Sequence, residues 1–346
     1  MKVKTKSDYL DILQILRGLA ALMVVCHHTI TSIEFYHQIE NPFFNFIRSV
    51  GKYGVDFFFV LSGFIISYTA NNKYSLPNAF SDYIKNRLIR IYVPYLPIGI
   101  AMLLVYSFLP NLSNSARDIS VLTTLTLLPH GHPALSVAWT LTFELCFYLL
   151  FSISFFSRRS WNYFVILWIC LIIVANYAPI EWFKETSNPF LILFFSPYNI
   201  EFILGYFLSL LILKNKKYNL NNVAIILVLA SVGLLYCIWK KFTLFYFSTH
   251  FLFSITVFLI LYLFIVYYTK KINKRNFMML IGNATYSIYL LHNPLQAILI
   301  RIYPKINSSI NMLIALLIVL IISSLIGYLY YLVFEKRAIQ KVKAVV

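Results

Sequence analysis

The sequence predicts an all-α fold: a polytopic membrane bundle of about ten transmembrane helices with both termini cytoplasmic. Three observations carry that prediction. Of 346 residues, 60% are hydrophobic and 12% charged, roughly half the charged share of a soluble domain. Mean hydropathy is +0.76, and at roughly 20 apolar residues per crossing the chain has room for about ten helices joined by short connections. The cations also alternate between the ends of those helices. A water-soluble globule is excluded, and so is a large extramembrane domain. The expected organisation is one membrane domain over 1–346, its core at about 10–334, with no fused soluble domain.

The first apolar run, about 10–33, follows Lys2, Lys4 and Lys6. It is not a cleavable signal peptide, because Arg17 interrupts it, it exceeds the usual apolar length and no small-residue cleavage site follows. Arg17 and His28 fall within about 20° of one helical face and roughly 16 Å apart along the axis. An ionisable side chain at membrane depth is costly and by default marks function; the bland alternative is that Arg17 reaches lipid headgroups and His28 marks the interface.

The second crossing, 52–70, is short and carries Asp56, Ser62 and Gly63. Its Ser-Gly pair permits close backbone approach or a bend. Between it and the third crossing, 91–109, Phe80, Tyr83, Ile84, Arg87, Leu88 and Ile91 outline an amphipathic surface helix. Two guanidinium forks, Arg87 and Arg90, suit phosphate groups, whether those of a ligand or of membrane lipids. The longest outer loop, about 110–135, holds a semi-apolar stretch, 121–129, placed to dip into the membrane or cover the outer mouth. His130 and His132 follow it; two loop histidines without further ligands do not make a metal site.

The fourth crossing, 136–156, carries Trp139 and puts Glu144, Phe147 and Tyr148 on one face at i, i+3 and i+4. A carboxylate at that depth needs a cation, a proton or a substrate. The crossings at 161–180, 189–213, 222–239 and 244–268 rest on hydropathy, with Glu201 and His250 as isolated polar residues. The ninth, 277–300, holds Tyr286, Tyr289, His292 and Pro294, where proline loosens the helix and frees a carbonyl. The tenth is 309–334. Cys26, Cys146, Cys170 and Cys237 all lie in apolar runs without metal-ligand spacing.

With the N-terminus inside, twenty of the 29 Lys and Arg fall in cytoplasmic segments and eight in outer ones, Arg17 being the last. That bias fits ten crossings. It also explains the net charge of +17 without a nucleic-acid partner.

Together these segments resemble the acyltransferase-3 family of integral membrane acyltransferases. Four blocks in register carry the likeness: Arg17-Gly-Leu-Ala-Ala through His28; Gly54-Val-Asp-Phe-Phe-Phe-Val-Leu-Ser-Gly63; Arg87-Leu-Ile-Arg90-Ile-Tyr-Val-Pro94; and Trp139 to Tyr148. Tyr286 to Pro294 is a weaker fifth. Thr140 and Thr142 stand where the family often has serine. The resemblance implies transfer of an acyl group, most often acetyl, from acyl-coenzyme A to a hydroxyl of a cell-surface or lipid-linked glycan, with no permanently bound cofactor or metal. By position it implies His28 as catalytic base, Arg17 as its partner, Arg87 and Arg90 as donor-binding residues, and Glu144 and Trp139 on the acceptor side or in catalysis. Asp56, Ser62, Tyr148 and His292 are further candidate substrate contacts.

The expected partners are acyl-coenzyme A, the glycan acceptor and membrane lipids, and the expected location is the bacterial cytoplasmic membrane. The expected path is one tunnel from the cytoplasmic arginines past Arg17 to His28, with His28, Glu144 and His292 toward the outer side. A transporter of an ion or lipid-linked sugar is the competing class, since it too would use intramembrane Arg, His and Glu. It would favour internal repeats, and the sequence has no convincing ones.

Overall fold

The computed structural model describes residues 6–109, 118–177, 187–214, 218–239, 248–268 and 276–345. The ends of the predicted fifth and eighth crossings, at 178–180 and 244–247, lie outside them. Fragments of the outer and inner loops do too.

Among the described residues the secondary structure is helical apart from one isolated bridge, Ile119 to His132. α1 (Lys6–His37) turns into α2 (Pro42–Gly51), whose start is fixed by the Asn41 side chain accepting from the Phe43 and Phe44 amides, with Pro42 at the first helical position. α2 folds back along α1 and, after a break at Lys52 and Tyr53, α3 (Gly54–Ala70) continues the descent. The return crossing therefore begins at Pro42 rather than near residue 52. The amphipathic α2 was hidden in a segment that hydropathy assigns to a loop.

α4 (Ala79–Phe108) merges the predicted surface helix and third crossing into one rod, with Pro94 and Pro97 inside it. α5 (Val121–Thr126) tucks against α4: the Tyr95 hydroxyl donates to the Thr124 carbonyl at 2.7 Å, and Tyr92 donates to Thr126. Thus the outer loop dips inward, and a 3₁₀ turn at Ser136–Ala138 delivers α6 (Trp139–Phe151) from inside the fold.

α7 (Ile153–Phe156) and α8 (Arg158–Tyr177) follow. α9 (Pro189–Phe194) and α10 (Tyr198–Leu213) form a second broken crossing. Then come α11 (Leu220–Trp239), α12 (Ser248–Tyr267), α13 (Phe277–Asn283), α14 (Thr285–Ile302) and α15 (Ser309–Tyr330). A π turn at Tyr331–Glu335 leads into α16 (Lys336–Val345).

Eight helical segments among the described residues are long and apolar enough to cross a membrane. The predicted seventh and ninth crossings are also helical: Leu220–Leu234 is apolar but shorter, and α14 is interrupted by His292, Asn293, Gln296 and Arg301. The protein is an all-α polytopic bundle.

The helices that carry the polar residues form its centre. α3 and α10 meet backbone to backbone, because a Cβ on Gly63 would lie 2.0 Å from the Phe202 carbonyl oxygen and one on Gly205 2.0 Å from that of Val60. α1 packs on α13 through Gly18 and Gly282, and on α14 through the Thr29 hydroxyl, 3.2 Å from the Gln296 amide oxygen. An aromatic core of Phe59, Phe147, Phe151, Trp161, Phe202 and Tyr206 backs α6. We call the end where α1 begins proximal and the other distal.

Candidate functional site

Arg17 points from α1 into a cavity shared with Ser62 of α3, Arg90 of α4, Thr140 and Glu144 of α6, and Tyr286 and Tyr289 of α14. An apolar wall with a few convergent polar groups is the usual make-up of a ligand pocket. The Arg17 guanidinium feels Glu144 and Glu335 as attraction and Arg90 as repulsion. Its hydrogen bond within the helix, to the Gln14 amide oxygen at 3.4 Å, is long.

Glu144 is anchored on one oxygen. Ser62 donates to its Oε1 at 3.2 Å, and the Tyr148 hydroxyl one turn along donates to the same atom. The sequence suggests that Glu144 lies outward with His28. In the structure it shares the cavity of the arginines, because α6 starts inside the fold, where Val137 and Ala138 are buried.

Arg87 and Arg90 are held differently. Arg87 stacks over the rings of Tyr83 and Tyr148 and donates to Thr69 Oγ1 at 3.1 Å. Arg90 lies over Tyr286 and pairs with Glu335 Oε1 at 2.8 Å. Glu335 is fully buried and also accepts from the Ser287 hydroxyl at 2.5 Å.

The π turn that ends at Glu335 widens the helix by one residue, so this carboxylate faces inward while Lys336 and Arg337 stay exposed. Sequence reasoning missed Glu335. Its only signal was a lone acid ahead of a basic tail, one residue past the predicted crossing. It also missed Lys343, which α16 carries into the electrostatic reach of Arg90, Lys73 and Arg87.

The imidazoles occupy a second, more distal place. His28 lines a cavity with His132, Pro133, Ser136, Val137 and Trp139. Its ring centroid lies 5.3 Å from that of His292 and 4.9 Å from that of His27. The His292 Nδ1–H donates to the Tyr289 carbonyl at 2.6 Å, and since a carbonyl only accepts, this fixes the tautomer and leaves Nε2 as a lone pair. That Nε2 is buried without a hydrogen-bond partner. Trp139 is 37% exposed and packs against Phe59, Phe143 and Tyr198. Asp56 lies apart from both cavities, buried beside His250 and Glu201.

The sequence led us to expect one continuous tunnel. Among the described residues, two separate cavities lie either side of a seam: Tyr289 and Thr140 line the proximal one, Val137 lines the distal one, and the Tyr289 hydroxyl lies between them, 2.9 Å from Thr140 Oγ1 and 3.2 Å from the Val137 carbonyl.

The arrangement offers a cationic proximal chamber with one carboxylate, an imidazole pair just beyond it, and a hydroxyl between. Such a layout suits an elongated anionic donor entering from one end and a hydroxylated acceptor from the other.

A family model described as an acyltransferase domain matches residues 10–332. The chain is 27% identical over 190 residues to "Exopolysaccharide production protein ExoZ" of Rhizobium meliloti (strain 1021), an alignment that covers 52% of this chain and 56% of that protein. The match thus spans little more than half the length of this curated relative. No solved structure matches.

Proposed function

The chain belongs to the acyltransferase family whose domain spans residues 10–332, and from that premise we propose that it transfers an acyl group, most simply acetyl, from cytoplasmic acyl-coenzyme A to a hydroxyl of a surface or lipid-linked glycan. The cation distribution along the sequence supports a cytoplasmic proximal end. The relative's association with exopolysaccharide production supports a glycan acceptor. The observation that carries the reading is the seam, at which a chamber holding Arg17 and Arg90 adjoins one holding His28.

In this reading the phosphates of the donor meet Arg87, Arg90, Lys73 and Lys343, which gather at the proximal end. The thin pantetheine arm extends past Arg17 and presents its thioester at Tyr289. The acceptor enters the distal cavity, where the half-exposed Trp139 gives a sugar ring an apolar face. His28 takes the acceptor hydroxyl proton as the oxygen attacks the thioester carbonyl. The tetrahedral oxyanion accepts a hydrogen bond from the Tyr289 hydroxyl, with Arg17 and Ser62 as further donors on the proximal side. Collapse forms the ester and expels the coenzyme A thiolate, which recovers the proton from imidazolium. His292, its Nδ1–H committed to a carbonyl, packs against the His28 ring from behind the cavity wall.

The experiment is single-turnover transfer with labelled acetyl-coenzyme A by detergent-purified protein. Thioester cleavage that requires His28 and a glycan acceptor supports the reading. Binding and translocation of a glycan without thioester cleavage would replace it with a transporter.

A further inference from the structure

Two of the most deeply buried acids in the molecule play no part in that reaction. Asp56 sits in the first turn of α3 and Glu201 in the first turn of α10, each just past the break in its crossing. Asp56 is 1% exposed and Glu201 0%. The Asp56 Oδ2 and both carboxylate oxygens of Glu201 have no partner at hydrogen-bond geometry, although Asp56 and the Ser254 hydroxyl lie within interaction range of Glu201. His250, near the start of α12, brings its Nδ1 to 2.6 Å from Asp56 Oδ1. One donor atom from each of the three lies within 4.8 Å of the other two. Tyr53 and Tyr198 pack their rings against the imidazole, which stays 17% exposed and gives the cluster a way in from outside.

We propose that Asp56, Glu201 and His250 bind a divalent cation of the zinc and manganese class. Charge is the first argument. Two carboxylates this close inside the bundle would repel if both were ionised, and the helix N-termini beneath them offset only part of that cost, so the pair needs a proton or a cation. One imidazolium neutralises a single acid, whereas a divalent ion leaves the set neutral. The donors are the second argument. Two carboxylates and one imidazole are the hard-to-borderline ligands of such ions, bound at about 2.0–2.2 Å with an open position left for water. The buried Glu201 oxygens are the third: their polar neighbours are Asp56 and the Ser254 hydroxyl, neither at hydrogen-bond geometry, and they lie within the cluster.

The site is structural in consequence. It ties α12 to the α3–α10 pair, and α3 carries Ser62, which holds Glu144. It is independent of the acyl-transfer reading, and no residue of it lines either cavity.

The test is metal analysis of the full chain, purified in detergent and reconstituted with ZnCl₂ or MnCl₂ before desalting. About one equivalent of metal should remain on the wild type, a chelator should lower its melting temperature, and adding the ion back should restore it. The D56N/E201Q pair, and separately H250Q, should bind the ion at least about tenfold more weakly. Wild-type protein that retains no metal and ignores the chelator overturns the proposal; if the double variant is then also the more stable protein, the acids share a proton instead. Metal retained in both variants overturns it as well, by placing the ion elsewhere. If the double variant does not fold, the wild-type reconstitution and H250Q decide.

Discussion

Tyr289 and Thr140 place their hydroxyl oxygens 2.9 Å apart, and with the Val137 carbonyl at 3.2 Å they close the seam between the arginine chamber and the histidine chamber. A hydroxyl in this place has two uses. It links α14 to the turn before α6 by donating to the Val137 carbonyl, and in the proposed reaction it would turn that proton to the thioester oxygen. Tyr289→Phe removes the donor and keeps the ring. It should lower kcat by roughly 10²-fold, the usual cost of losing one oxyanion donor, while the KM for acyl-coenzyme A shifts by less than about threefold, as an interaction made only in the transition state requires. Steady-state kinetics with varied donor checks this. A rise in KM with kcat intact would make Tyr289 a binding wall.

His28 and His292 face each other with centroids 5.3 Å apart, but only His28 lines the distal cavity. His28→Ala should reduce transfer by about 10²–10⁴-fold while leaving donor binding intact, as read by equilibrium binding of acetyl-coenzyme A. His292→Ala deletes a buried ring and its bond to Tyr289, so a smaller loss of rate, accompanied by a lower melting temperature, is expected. Equal losses with unchanged stability would give both imidazoles a part in proton transfer.

The sequence made the architecture readable where lipid imposes it. Apolar runs long enough to span a bilayer have few alternatives, and this is why the helices at 189–213 and 309–330 lie where hydropathy puts them. Arg17 and His28 share α1, as the first apolar run implies, but they line separate cavities. Other features depend on contacts between segments that hydropathy reads one at a time. The choice between a dip and a cover for the 121–129 stretch is one, set by the hydroxyls of Tyr92 and Tyr95 on the preceding α4. Glu335 is another, turned inward by a π turn that no periodicity announces. The grouping of Asp56 with Glu201 and His250 joins three segments far apart in the chain, and each looked isolated in the sequence.

Arg90 and Glu335 separate a structural role from a donor-binding one. Glu335 is fully buried, so Arg90→Ala strands a carboxylate and should destabilise the protein by about 3–5 kcal/mol. Arg90→Ala combined with Glu335→Gln should recover much of that stability, and thermal melting of the single and double variants measures the coupling. Arg87 has only stacking and a hydroxyl to lose, so Arg87→Ala should stay folded and raise the donor KM. If the stabilised double variant also binds acyl-coenzyme A as the wild type does, Arg90 serves the fold alone.

The tight α3–α10 contact makes the site hostage to two glycines. Gly63 adjoins Ser62, which holds Glu144, and a Cβ at Gly63 would stand 2.0 Å from the Phe202 carbonyl oxygen, 2.7 Å from its carbonyl carbon and 2.9 Å from its Cα. These are backbone atoms with no rotamer to yield, so the helices must move apart. Gly205 is the mirror case, its Cβ 2.0 Å from the Val60 carbonyl. Overpacking costs about 1–3 kcal/mol where side chains can shift; against rigid backbone the cost should exceed that range. Gly63→Ala and Gly205→Ala are each expected to lower the melting temperature sharply and to reduce the amount of folded protein recovered from membranes. A Cβ on Gly233 would meet no heavy atom within 4 Å beyond its own stretch of helix among the described residues, and Gly233→Ala, a gain in helix propensity of about 1 kcal/mol, should leave stability equal or higher. Parity among the three variants would show that α3 and α10 are not in backbone contact, and Ser62 would then lose its fixed distance from Glu144.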